Sequence, residues 1–385
     1  MSDPHRMIPA PSRRAILKGA AATLAAAPLG TLPVLHAATA PSLSSLAAAR
    51  GLRFGASFST AELDRPYGDD YARIYERDAA VLTAELELKM LILRPAADTL
   101  DFSGADRLMA FARENGKTVR GHTLIWNDNL PDWISRLGPG EIAYLLEAHI
   151  ETVIDRYPDI PSWDVVNEPI APWDRLPGNL RKGAFLSAMG EDYIAKSFEV
   201  ARRIAPKADL VLNEAQTESA DENGQVFRES FMALLKRLHD RGTPIDTIGL
   251  QCHIDTQRPY DFPRFAAYLA EIANMGYGIA ITELDVNDRA LPADIAARDK
   301  AVAGIYRDFL SAVLPVDAVR SLTLWQLADH TSWLYYDDVS ENPNAARRPR
   351  PLPYDARFEK KRAWHEIAEA LQAMPPRTLP VAQAD

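Results

Sequence analysis

Cysteine is nearly missing from this chain: Cys252 is the only one in 385 residues. An internal disulfide is therefore impossible, and packing and hydrogen bonding must hold the fold. Metal-site signatures are missing too. There is no HExxH, no cysteine pair and no clustered aspartate motif, so neither a catalytic metal nor another cofactor is expected. Positive charge is not in excess, with 43 Lys and Arg against 53 Asp and Glu and a net charge of −10. That balance argues against nucleic acid or an anionic membrane surface as partner. No apolar run of about 20 residues survives, because Pro28 and Pro33 interrupt the alanine-rich stretch from Gly19 to Leu35, and no membrane anchor is expected. No low-complexity linker or second composition block appears, which speaks against an appended binding module.

What is present starts with a leader. Ser12-Arg13-Arg14-Ala15-Ile16-Leu17-Lys18 puts two arginines ahead of the weakly apolar run, with small residues at Ala37 to Ala40. This is the layout of a twin-arginine export signal, so residues 1–40 are read as a signal peptide and the destination as the periplasm or the outside of the cell. Residues 41–385 suit one α/β barrel with loop insertions, and a composition 47% hydrophobic can fill its core. A monomer is expected.

Short β-branched or apolar runs predict strands near Arg53–Phe58, Ala80–Ala84, Thr118–Ile125, Ser162–Val166, Leu210–Asn213, Thr247–Cys252, Gly278–Ile281 and Ser321–Trp325. Between them, Ala105–Asn115, Glu141–Tyr157, Glu191–Ile204, Gln225–Arg241, Arg264–Met275 and Ala293–Leu310 have helical spacing, and Lys361–Met374 reads as a last helix. Eightfold strand–helix alternation implies a parallel sheet closed on itself, a single-domain TIM (β/α)₈ barrel of the α/β class.

Such a barrel places its site at the C-terminal strand ends. Here those ends are rich in polar residues, and the fourth and seventh carry Glu168 and Glu283. Most glutamates cap loops or pair with arginine. These two directly follow apolar strands, and Pro169 turns the chain at once. Two carboxylates in one barrel mouth suit glycosidic cleavage, where one protonates the leaving oxygen while the other attacks the anomeric carbon or activates water.

Trp163-Asp164-Val165-Val166-Asn167-Glu168-Pro169 and Ile281-Thr282-Glu283-Leu284-Asp285 together resemble glycoside hydrolase family 10, the endo-β-1,4-xylanases. Asp101-Phe102-Ser103-Gly104-Ala105-Asp106, Val119-Arg120-Gly121-His122-Thr123-Leu124, Ile248-Gly249-Leu250-Gln251-Cys252-His253 and Pro351-Leu352-Pro353-Tyr354-Asp355 fit the same family, and the resemblance spans about residues 51–372. It implies a retaining mechanism on a xylan-type polysaccharide, with carboxylates about 5–5.5 Å apart. Glu168 would be acid then base, and Glu283 the nucleophile. His253 and Asn213 would bond Glu283, with Asp285 orienting the histidine. Asn167 would grip the sugar 2-hydroxyl, Gln251 and His122 its neighbours. Glu85 and Lys89 would bind sugar, while Trp126, Trp325 and Trp333 would serve as platforms for apolar sugar faces rather than as core. His149, inside a helix, reads as structural. A β-1,4-glucanase or mannanase on the same barrel stays open, and so does a noncatalytic carbohydrate-binding protein, although that normally lacks a carboxylate.

The sequence departs from the family in its sugar-binding positions. Leu86 replaces the asparagine that helps bind the sugar two units before the cut. W-H-S-Q has become Trp126-Asn127-Asp128-Asn129, N-D-Y-N has become Asn213-Glu214-Ala215-Gln216, W-G is Trp325-Gln326 and S-W-R is Ser332-Trp333-Leu334. One lost sugar hydrogen bond costs about 0.5–1.5 kcal/mol, so an altered preference is expected rather than lost activity.

Overall fold

The computed structural model describes residues 41–335 and 347–377; the proposed export signal lies outside them. Eight parallel strands form the barrel: β1 (Arg53–Phe58), β2 (Val81–Ala84), β3 (Thr118–Gly121), β5 (Ser162–Asn167), β6 (Asp209–Glu214), β7 (Thr247–Leu250), β9 (Gly278–Asn287) and β10 (Val319–Leu324). They pair in that order, and β10 pairs with both β9 and β1 to close the ring. The expected (β/α)₈ barrel is therefore the fold.

Two expected strands are broken, and the breaks shape the site. The third stops at Gly121 and resumes as a two-residue strand, β4 (Ile125–Trp126), paired with β5. Between the pieces, Thr123 Oγ1 and the Leu124 amide both donate to the Asp164 carbonyl, at 2.8 and 3.0 Å. The sixth stops at Leu250 and resumes as β8 (His253–Asp255), paired with the extended end of β9. Cys252, at the break, has φ +61° and is fully buried. Each break takes residues out of the ladder and turns His122, Gln251 and His253 toward the barrel mouth.

The outer helices follow their apolar spacing and caps. Helix Pro139–Arg156 starts with proline at its first position, and the Glu141 carboxylate accepts from the Gly138 amide at 2.8 Å. It buries Ile142, Leu145, Leu146, Ile150, Val153 and Ile154 along one face. His149 shares that face, accepting at Nδ1 from Arg94 Nε at 3.0 Å. Burial, with the Arg94 charge, lowers its pKa to about 3, so it is a neutral core histidine, as read. Asp221 and Asp294 cap helices Glu222–Asp240 and Ile295–Val313. The longest of the helices that go beyond the sequence reading, Gly68–Asp78, lies between β1 and β2 in the chain and buries Tyr71, Ile74, Tyr75 and Asp78. Inside the barrel, Trp163 packs against Gly121, where a Cβ would stand 2.0 Å from Trp163 Cε3.

Candidate active site

A cleft of about 610 Å³ opens at the C-terminal ends of the strands. Glu85, Lys89, His122, Trp126, Asn167, Glu168, Gln251, His253, Glu283, Asp285, Trp325 and Trp333 all line it. Of the residues expected to act in catalysis or bind sugar, Asn213 does not line the cleft; it sits behind the wall, fully buried.

Both glutamates enter from rigid strands. Glu168 leaves β5 with φ +51°, its amide donating to the Asn213 carbonyl at 2.8 Å. Glu283 lies within β9, which runs on to Asn287. One chain of amides joins them. Asn213 Nδ2 donates to Glu283 Oε1 and to Asn167 Oδ1, both at 2.8 Å. Gln251 Nε2 donates to Glu168 Oε1 at 2.8 Å and approaches Asn167 Oδ1 at 3.5 Å. Thr282 Oγ1 donates to Asn213 Oδ1 at 2.8 Å, which fixes the asparagine. Gly249 makes room for it, since a Cβ there would stand 2.3 Å from Asn213 Oδ1.

The other oxygen of Glu283 faces His253 Nε2 at 3.3 Å, and His253 Nδ1 meets Asp285 Oδ1 at 2.9 Å. Trp333 Nε1 donates to Asp285 Oδ2 at 2.7 Å. Burial alone would raise the Glu283 carboxyl, but the His253 hydrogen bond and the charges of His122, His253 and Lys89 outweigh it and hold the pKa at about 2. Burial would likewise lower His253, yet Asp285 and Glu283 push it well above the usual range. Glu283, depressed when folded, stabilises the fold above its unfolded value near ~4.3 and loses that contribution as pH falls toward 2. His253, raised, stabilises below ~6.5 and loses its contribution as pH climbs through the folded value. His253→Ala should therefore move the acid limb of the kcat/KM profile upward, because Glu283 then protonates at higher pH. An unmoved acid limb would show that His253 does not hold Glu283 ionised.

Three residues take supporting roles that the sequence reading did not assign. Asp164 receives Arg120 on one oxygen and His122 Nδ1 on the other, the latter at 2.8 Å, which orients the His122 ring. Arg181 is buried against Glu168: Nε donates to the Glu168 carbonyl at 2.6 Å and Nη2 stands 3.0 Å from Oε2. Its Nη1 pairs with Asp128, one of the departures in the third-strand segment. Gln326 is wholly buried and donates through Nε2 to Glu85. Burial pushes Glu85 up to about 8, with Lys89 opposing.

The aromatic residues form a wall. Trp325 is 6% exposed and meets His122 edge-on at 5.4 Å. Lys89 Nζ lies 5.0 Å from the Trp126 ring centre and 5.8 Å from that of Trp325. Leu86, Ala215 and Gln216, among the departures, line the cleft. Asn127 does not. Its Oδ1 accepts from the Phe185 amide at 3.3 Å, so replacing histidine there alters a loop support.

Backbone strain collects around the mouth. Glu168, Gln216, Cys252 and Gln326 have φ of 51, 58, 61 and 74°. A side-chain residue held there costs about 1–2 kcal/mol, and each follows a barrel strand directly or within two residues.

A closed parallel barrel whose mouth holds two carboxylates, one ionised and hydrogen-bonded from behind, defines the class of the glycoside hydrolases. Residues 42–370 match the description glycosyl hydrolase family 10, and the chain belongs to that family. It is 30% identical to a β-1,4-xylanase of Dictyoglomus thermophilum over 78% of this chain and 84% of the relative. It is 29% identical to endo-1,4-β-xylanase A of Thermoanaerobacterium saccharolyticum over 80% of this chain, but the chain spans only 26% of that longer relative. The crystal structure of xylanase 10B from Thermotoga petrophila in complex with xylobiose superposes with a TM-score of 0.76 at 27% identity, covering 86% of this chain and 97% of that one.

Proposed function

We propose that this protein is an endo-acting β-1,4-xylan hydrolase that works by double displacement with retention. The observation that carries the chemistry is the bonding of Glu283: Asn213 on one oxygen and His253 on the other keep it ionised and aimed. In the first step Glu168 donates its proton to the glycosidic oxygen, Glu283 bonds the anomeric carbon, and the carbon–oxygen bond to the leaving sugar breaks. The charge left on Glu168 faces the Arg181 guanidinium. In the second step Glu168 takes a proton from water, which attacks the anomeric carbon and releases Glu283. Asn167, with its oxygen engaged by Asn213, offers its amide to the 2-hydroxyl. His122 and Gln251 meet neighbouring hydroxyls, and Trp126, Trp325 and Trp333 give the sugar faces an apolar wall.

The xylan assignment draws support from relatives named as xylanases and from the xylobiose complex. Initial rates on β-1,4-xylan, β-1,4-glucan and β-1,4-mannan, with sizing of early products, test it. Xylan is expected to be cut fastest, giving mixed oligosaccharides from internal cuts. Faster hydrolysis of glucan or mannan, or release of terminal sugars alone, would overturn the substrate assignment.

A further inference from the structure

Gln326 stands where the family pattern has glycine, in the conformation that glycine adopts most easily, with φ +74°. It is nevertheless a long polar side chain with no exposure at all. Its amide N–H and both polar atoms of its side chain have partners. Its amide N–H donates to Ser57 Oγ at 2.8 Å. The hydroxyls of Tyr75, Thr331 and Tyr71 surround Oε1 at 2.6, 3.1 and 3.3 Å. With three hydroxyls crowded around Oε1, Nε2 faces Glu85 and donates to its Oε2.

Glu85 follows β2 and lines the cleft with Leu86, Lys89 and Trp325. No other hydrogen bond to its side chain occurs among the described residues. Neighbouring Glu87, by contrast, is consumed by the backbone: it accepts from the Thr60 and Leu86 amides at 2.6 and 3.1 Å. Glu168 stands across the cleft after β5, with Ala215 and Gln216 beyond it after β6. Given Glu168 as donor to the leaving oxygen, a point on which this inference rests, sugars on the non-reducing side of the cut run over β2 and β10. Leucine at position 86 can offer them no hydrogen bond, and Glu85 is the polar group left beside it.

We propose that Gln326 is a specificity-determining positioning residue: by clamping one oxygen of Glu85 it presents the other to the second sugar on the non-reducing side, where Leu86 cannot contribute. The clamp makes a single carboxylate do what a less restrained glutamate and an asparagine would share.

The test compares kcat/KM on an aryl β-xyloside and the matching aryl β-xylobioside, which differ only in that second sugar. In the full-length protein, Gln326→Gly should lower the bioside-to-monoside ratio by about tenfold, as loss of a hydrogen bond to a carboxyl group implies. Glu85→Ala should lower the ratio at least as much. In the Glu85→Ala background, Gln326→Gly should change it less than about twofold, because the two act as one unit. Equal losses on both substrates, or a full additional loss in the double variant, would overturn the proposal. If Gln326→Gly fails to fold, Glu85→Ala still decides: an unchanged ratio there removes the group that Gln326 is said to position. Should the wild-type protein hydrolyse only the cello-configured pair, the xylan assignment falls, and the same ratio measured on that pair confirms or overturns the clamp.

Discussion

Glu283→Ala should lower xylan hydrolysis by at least about four orders of magnitude, equivalent to about 5.5 kcal/mol of transition-state stabilisation. The variant would lose the atom proposed to bond the anomeric carbon, while the buried Asn213 and the half-buried His253 that hydrogen-bond it remain. Glu168→Ala should behave differently. A missing general acid costs about 10²–10⁴-fold on xylan but little in the first step with a dinitrophenyl leaving group, which departs without a proton. Azide separates the two roles further. In Glu168→Ala it can attack the glycosyl-enzyme and give a β-azide; in Glu283→Ala it can only attack the substrate directly and give an α-azide. Exchange of these two products between the variants would reverse the assigned roles.

The second large effect is expected at Asn167. Its oxygen accepts from Asn213 at 2.8 Å, and its Nδ2 is 3.4 Å from Glu168 Oε1 at the cleft wall. The amide hydrogens are thus the part of Asn167 turned to substrate. A contact to the sugar 2-hydroxyl strengthens as the oxocarbenium ion develops and supplies several kcal/mol, so Asn167→Ala should cost about 10²–10³-fold in kcat. A 2-deoxy substrate distinguishes this from damage to the amide network. The wild-type protein should lose most of its advantage over Asn167→Ala on that substrate. An equal penalty on both substrates would assign the loss to Asn213 and Gln251, which share the Asn167 oxygen.

How much of this could be read in the sequence depended on where each residue sits. Glu168 and Glu283 stand out because apolar strands run directly into them, and strand ends are where a barrel keeps its chemistry. His253 and Gln251 were legible for the same reason. Arg181 was not, because it comes from an irregular segment thirteen residues beyond Glu168, where no periodicity marks its direction. Asp164 was hidden inside a strand, and only the fold shows it holding both Arg120 and His122. Gln326 could be noticed as a departure from glycine, but its partners Tyr71 and Tyr75 lie more than 250 positions away. Those tyrosines belong to the helix at Gly68–Asp78, whose apolar spacing is masked by Asp69, Asp70, Arg73, Glu76 and Arg77. The breaks at 122–124 and 251–252 were illegible as well. Each sits inside a short run that reads as one continuous strand, and the interruption comes from hydrogen bonds to Asp164 and from the positive φ of Cys252.

The central claim is that Glu283 forms a covalent bond to the substrate. It is tested most directly by incubating the protein with a 2-fluoro aryl β-xylobioside, whose fluorine slows release of the glycosyl-enzyme, and locating the added mass by peptide mass spectrometry. One fluoro-xylobiosyl group on the peptide containing Glu283, absent in Glu283→Ala, is the predicted result. Stoichiometric labelling at any other residue, or turnover of the substrate to a product of inverted configuration, would contradict it.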